Sequence, residues 1–356
     1  MASPSESSNP RRQFLRTGGA VLVGLATARH LPAFASGDDH SSPMPSVRLG
    51  SGEHTYDCFN DWLMPPPSIR WGDTQGVAQD RAGRIYISHT VHPASQMKDA
   101  IVVFDKNGKF LNSWGSRFAG GGHGLDIRRE GRTEYLYHCD TAHQLVVKTT
   151  LDGTVIWEKG APAEPKIYDA THKFVPTNVA LSPHDDGLYV ADGYGSSYIH
   201  QYDGKGQWVR TFGGPGKEPG QTSTPHGIFI DSRGKEPLLV VADRGNHRLQ
   251  YFTLDGKHVR FVTTGMRQPC HFDRRGDDLL VPDLDSIVTI LDKDNKIAAQ
   301  IGDGFPSKLR GAPRDQFIPG KFIHPHSAKF LHNGDILVVE WVPIGRVTLL
   351  RKVKSA

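Results

Sequence analysis

Short apolar runs recur along this chain, and Gly, Asp and Asn break them at close intervals. One phrase is plain: GLYVAD from Gly187 to Asp192, a polar turn, then YIHQYDG from Tyr198 to Gly204. Leu238 to Asp243 followed by His247 to Gly256 repeats it, and weaker copies run from Ile85 to Gly108, Tyr135 to Gly153, Leu279 to Asp294 and Ile336 to Leu350. The runs are too short for helices and rich in β-branched and aromatic residues, so each copy predicts paired strands joined by tight turns.

A further strand start precedes every copy, at Gln75, His123, Asn178, His226, His271 and His326. These markers recur about every 50 residues, the length of a four-stranded propeller blade. A single blade cannot bury both of its faces, so six such units predict an all-β, six-bladed β-propeller with its blades stacked around an axis. The propeller is expected over residues 71–356. The segment 36–70 is a candidate for a strand that closes the ring with the last blade.

Residues 1–35 read differently. Arg11-Arg12 precedes an apolar stretch from Thr17 to Ala28, and Ala33-Phe34-Ala35 has the small-residue pattern of a cleavage site, which together predict a twin-arginine signal peptide. Export to the periplasm or the extracellular space is therefore expected, with no membrane span in the mature chain. The 356 residues include 39 Gly and 24 Pro and carry a net charge of +4. With the leader's arginines set aside, no basic block of the kind nucleic acid requires is left. Three cysteines allow at most one disulfide. A monomer acting on a small-molecule or peptide-derived substrate is expected.

In a propeller the innermost strands line the axis, so residues at one repeat position face one another. Here that position reads Gln75, His123, Asn178, His226, His271 and His326. Histidines gathered in this way suit zinc, copper, iron or nickel, and three of them with one open position form a catalytic zinc site. The other reading is a water-filled polar channel. A second recurrent position holds His89, Asp140, Asp192, Asp243, Asp283 and Glu340, where a carboxylate accepts backbone N–H groups from the following turn. Tyr194 lies two residues past a strand end, where a phenol can move a proton. Cys270, beside His271, reads as a buried apolar cysteine, with a ligand or nucleophile as the alternative.

The motifs FVPTNVA from Phe174, VADGY ending at Tyr194, TPHG from Thr224 to Gly227, VADRGN from Val241 to Asn246 and PHS from Pro325 to Ser327 resemble the NHL-repeat propellers, and among them the peptidyl-α-hydroxyglycine α-amidating lyases. The resemblance covers roughly Gly72 to Leu350. It implies a zinc ion on His123, His226 and His326, with Tyr194 as the catalytic tyrosine and His271 an addition of this chain. Thr90 stands where the resemblance implies a substrate-binding arginine, leaving Arg267, His89 and His92 as candidates to hold substrate. Ser327 stands where it implies a calcium-ligating aspartate. The expected activity is a metal-dependent lyase acting on a C–O or C–N bond; a metal-dependent hydrolase such as a lactonase, or a non-catalytic binding scaffold, are the alternatives.

Overall fold

The computed structural model describes residues 47–183 and 185–353, so the predicted leader lies outside the described residues. The described residues form six antiparallel sheets, five of four strands and one of five. The innermost strands run from Thr74 to Gln79 in blade 1, Gly122 to Glu130 in blade 2, Asn178 to Leu181 in blade 3, Pro225 to Asp231 in blade 4, Asp273 to Arg275 in blade 5 and Pro325 to Phe330 in blade 6. The expected all-β, six-bladed propeller is what the chain builds.

Blade 6 takes only three strands from the C-terminal end of the chain. His54–Phe59 pairs antiparallel with Arg346–Lys352 and Val47–Ser51 pairs with His54–Phe59, so two N-terminal strands complete that sheet. Tyr56 and Cys58 from this clasp are buried with Leu280, Ile290, Ile336 and Leu350. The ring is therefore shut by noncovalent pairing, and Cys58, Cys139 and Cys270 are all free and buried.

The core is divided among the blade interfaces. Ile87 and Val102 of blade 1 pack on Val339 and Val347 of blade 6. Tyr86 and Val103 meet Leu125 and Leu136 of blade 2, and the same pattern repeats at the remaining interfaces. Each blade thus buries both faces against neighbours, which is why runs such as Ile85–His89 and Leu238–Asp243 are inaccessible almost throughout. Strand polarity alternates within a blade, so the connections entering the innermost strands all gather at one end of the axis. Among the described residues no helix is long and apolar enough to cross a membrane.

Several histidines are structural parts of these sheets. His138 stacks on Phe118 with ring centroids 4.7 Å apart and its Nε2 bonds Thr149 Oγ1 at 2.9 Å; burial pushes its pKa down to about 3. His200 meets Tyr168 and Thr211, and burial brings it to about 4. Both are neutral when folded and titrate near 6.5 when unfolded, so between pH 6.5 and 4 the unfolded chain binds more protons and stability falls as pH falls. Each withdraws on the order of 2–3 kcal/mol across that window. Urea midpoints at pH 7 and pH 4.5 check this: a marked drop is expected, smaller in His138→Leu, and a flat profile would contradict it.

Candidate metal centre

His123, His226 and His326 stand second in the innermost strands of blades 2, 4 and 6. At all three the pairing register slips. Gly122 opposes Asp140 but Leu125 opposes His138; Pro225 opposes Asp243 but Ile228 opposes Val241; Pro325 opposes Glu340 but Ser327 opposes Val339. Such bulges break the in–out alternation and re-aim a side chain. Blade 1 has the same slip at Gln75. Blade 3 pairs Asn178 with Ala191 in regular register, and in blade 5 the innermost strand begins only at Asp273, after His271.

Glycine follows two of the histidines for a steric reason. A Cβ on Gly124 would lie 2.4 Å from the carbonyl oxygen of Thr177, and one on Gly227 would lie 2.3 Å from that of Cys270. Those same two carbonyls accept the Nδ1–H of His123 at 2.7 Å and of His226 at 2.8 Å, while Gln75 O accepts from His326 Nδ1 at 2.8 Å. Close approach of adjacent blades is what brings these oxygens within reach.

Because a carbonyl oxygen only accepts, all three rings carry their proton on Nδ1 and leave a lone pair on Nε2. These lone pairs converge. His226 Nε2 lies 3.2 Å from His123 Nε2 and 3.1 Å from His326 Nε2, and the three buried nitrogens lie within 4.8 Å of one another. Burial is the main force holding the imidazoles neutral; it brings His123 to about 3 and, with the Arg244 guanidinium adding to it, drives His226 and His326 well below the ordinary value. Two imidazoles sharing a tetrahedral zinc ion at about 2.05 Å stand about 3.3 Å apart. The donor set and its spacing fit a metal ion.

The Tyr194 hydroxyl closes the fourth side, 3.0 Å from His226 Nε2 and 3.3 Å from His123 Nε2. The residue as a whole is 43 % exposed, so Tyr194 stands between the buried nitrogens and the solvent. Desolvation raises its pKa and Arg244 opposes the rise. Asp192 shapes the turn that carries it, accepting the backbone N–H groups of Val175 and Ser196 at 2.6 Å and the Tyr168 hydroxyl at 3.0 Å.

The other expected site residues lie elsewhere. His271 is not among the converging nitrogens: its Nδ1 is 3.3 Å from Ser327 Oγ and its Nε2 is 3.8 Å from Asp126, because Pro269 opposes Asp283 as Pro225 opposes Asp243, which gives the axial position to Cys270 and leaves His271 one residue beyond it. His89 is buried and takes the part the aspartates play in other blades. Its Nδ1 accepts the N–H groups of Gly72 and Val91 at 3.1 and 3.2 Å, and its Nε2–H donates to Asp99 O at 3.0 Å. No lone pair is left for substrate. Arg267 is held by Asp303 through two hydrogen bonds of 2.9 Å and by Asp285 O, so its charge is already matched. Asp140, Asp243, Asp283 and Glu340 accept backbone N–H groups at 2.6–3.0 Å.

Arg244 is the site residue that sequence reasoning missed. Its guanidinium lies 5.2 Å from the centroid of the Tyr194 ring, and its Nη1 is 3.8 Å from Cys270 Sγ. The signal was present: an arginine directly follows the strand-end aspartate in blade 4, where blades 2, 3 and 5 have Thr141, Gly193 and Leu284.

No protein-family model matches the chain. Mouse peptidyl-glycine alpha-amidating monooxygenase is 32% identical over 168 residues, 45% of this chain and 16% of the mouse protein. Peptidyl-alpha-hydroxyglycine alpha-amidating lyase 1 of Drosophila melanogaster is 26% identical over 241 residues, 59% of this chain and 42% of that protein. This chain is a propeller that resembles the peptidyl-α-hydroxyglycine α-amidating lyases. The matched part spans less than half the length of either of these two relatives. Virginiamycin B lyase from Staphylococcus aureus superposes with a TM-score of 0.54 at 14% identity, over 84% of this chain and 100% of that one, a likeness of fold alone.

The close blade contacts beside the triad of this lyase-like propeller make a direct test. Gly227→Ala forces its Cβ onto Cys270 O, which pushes blades 4 and 5 apart and lengthens the bond that orients His226. A loss of about 1–3 kcal/mol is expected, together with weaker metal retention on dialysis. Unchanged stability and retention would show that the close approach does not set the ring.

Proposed function

We propose that this chain is an exported metal-dependent lyase that cleaves the C–N bond of a peptidyl-α-hydroxyglycine or a closely related N-acyl α-hydroxy compound. The observation that carries the reading is the convergence of three Nε2 lone pairs and one phenol hydroxyl in a buried axial cluster. His123, His226 and His326 would hold the ion, with zinc favoured by an all-imidazole donor set. When bound, that ion supplies Lewis-acid polarisation of a substrate oxygen. The reaction moves one proton and breaks one bond: the α-hydroxyl loses its proton, its oxygen becomes a carbonyl, the C–N bond breaks, and the nitrogen leaves as an amide bearing a proton.

Tyr194 Oη is the group placed to hold and move that proton, and Arg244 stands where it stabilises negative charge on the phenol oxygen. Export by the twin-arginine route belongs to this proposal and rests on the sequence of the leader; that route carries folded proteins, so the ion could be loaded before export.

The test is turnover of N-benzoyl-α-hydroxyglycine by the zinc-loaded protein, with benzamide and glyoxylate measured together. Equal amounts of the two products are expected. Tyr194→Phe is expected to lower kcat by 10²–10⁴-fold with zinc content unchanged. Wild-type rates in that variant would remove the tyrosine from the mechanism, and hydrolysis of lactones in place of this reaction would favour the hydrolase.

A further inference from the structure

The connection from Gly302 to His324 joins blade 5 to blade 6 at the end of the axis where Tyr194 lies. It is firmly seated. Phe317, Ile323 and Val342 form a buried cluster joined by Leu309, Ala312 and Ile344, and Arg314 donates to the carbonyl oxygens of Ile344 and Gly345 at 2.7 Å.

Arg310 projects from this connection onto blades 1 and 6. Its Nη2 donates to Asp73 Oδ1 at 2.9 Å, and its guanidinium lies 3.5 Å from the centroid of the Trp341 ring. Among the described residues its Nε is buried without a hydrogen-bond partner, and the side chain as a whole is 32% exposed. Arg267 is matched by two bonds to Asp303; Arg310 is restrained by one bond to Asp73, which leaves it donors to spare.

Both supports of Arg310 are tied to one edge of the triad. Asp73 stands two residues before Gln75, whose carbonyl holds His326 Nδ1. The Trp341 N–H donates to His324 O at 2.8 Å, two residues before His326. Two residues of extended chain span about 7 Å at most. Tyr194 instead contacts His123 and His226, whereas the supports of Arg310 lead to the backbone that holds and precedes His326. The Asp73 charge is also felt at the Tyr194 phenol, behind the larger effects of burial and Arg244.

We propose that Arg310 is a substrate-binding residue that takes the carboxylate of an N-acyl amino-acid-like substrate, with Asp73 and Trp341 fixing its plane. It rests on the lyase reading only for which substrate atoms then lie over the triad. A planar guanidinium held on an aromatic face offers two parallel N–H donors to a carboxylate, which a lysine ammonium cannot reproduce. The position was not legible from sequence, since no repeat register relates Arg310 to the axis.

Calorimetric binding of N-benzoylglycine and N-benzoylglycinamide, two unreactive probes that differ in the carboxylate, tests this on the zinc-loaded protein. The wild type is expected to bind the acid at least about tenfold more tightly than the amide. Arg310→Gln and Arg310→Lys are each expected to erase that preference, with zinc content and melting temperature kept. A wild type that binds neither probe, or binds both alike, overturns the proposal, as does a preference that survives in either folded variant. With N-benzoyl-α-hydroxyglycine the same variants should raise KM about tenfold and leave kcat within a few-fold. If the wild type does not turn that compound over, the lyase reading fails while the binding comparison still decides the role of Arg310.

Discussion

A carbonyl oxygen has no proton to give, and that simple constraint organises the axis of this propeller. The carbonyls of Thr177, Cys270 and Gln75 each accept from the Nδ1 of a histidine on the preceding blade, so each ring must present a bare Nε2. The three bonds run from blade 2 to blade 3, from blade 4 to blade 5 and from blade 6 to blade 1, an approximate threefold pattern within a sixfold ring. Backbone partners of this kind fix tautomer and ring orientation as outer-shell carboxylates do in metal sites. The lone pairs they expose repel one another at 3.1–3.2 Å, and a cation is the natural remedy.

The rest of the fold serves that arrangement. Apolar clusters between successive blades hold the innermost strands close enough for the carbonyls to be reached, and Gly124 and Gly227 remove the atoms that would keep them apart. Strand-end carboxylates then anchor the turns at the mouth. Asp192 holds the turn bearing Tyr194, Asp283 caps the backbone of Arg267 and Gln268, and Glu340 takes the N–H groups of Ile323 and His324 just ahead of His326. Burial keeps the histidines neutral, so the bare Nε2 lone pairs at the axis and the expected acid sensitivity share one cause.

Repeat register made the propeller and the axial position legible, because strands of period two recur about every 50 residues. Register alone could not say which axial residues converge. Marker spacing set His271 level with His226, yet Pro269 opposes Asp283 as Pro225 opposes Asp243, so Cys270 holds that position, and the bulges that aim His123, His226 and His326 depend on pairing between strands. The glycine after His123 and His226 was the nearest local sign. His89 was legible as a member of the strand-end set, but its chemistry was not: an imidazole there does the work of an aspartate by accepting two N–H groups on one nitrogen. Arg267 and Arg310 show the remaining limit. Both lie on connections whose partners, Asp303 and Asp73, come from tertiary contacts that no period encodes.

The most direct measurement is elemental analysis of the protein purified without chelating resin, beside a variant carrying His123→Ala, His226→Ala and His326→Ala. About one zinc or other transition-metal ion per chain, lost in the variant and kept in His271→Ala, is the result this account predicts. A folded wild type without stoichiometric metal, or a triple variant that retains it, would contradict it.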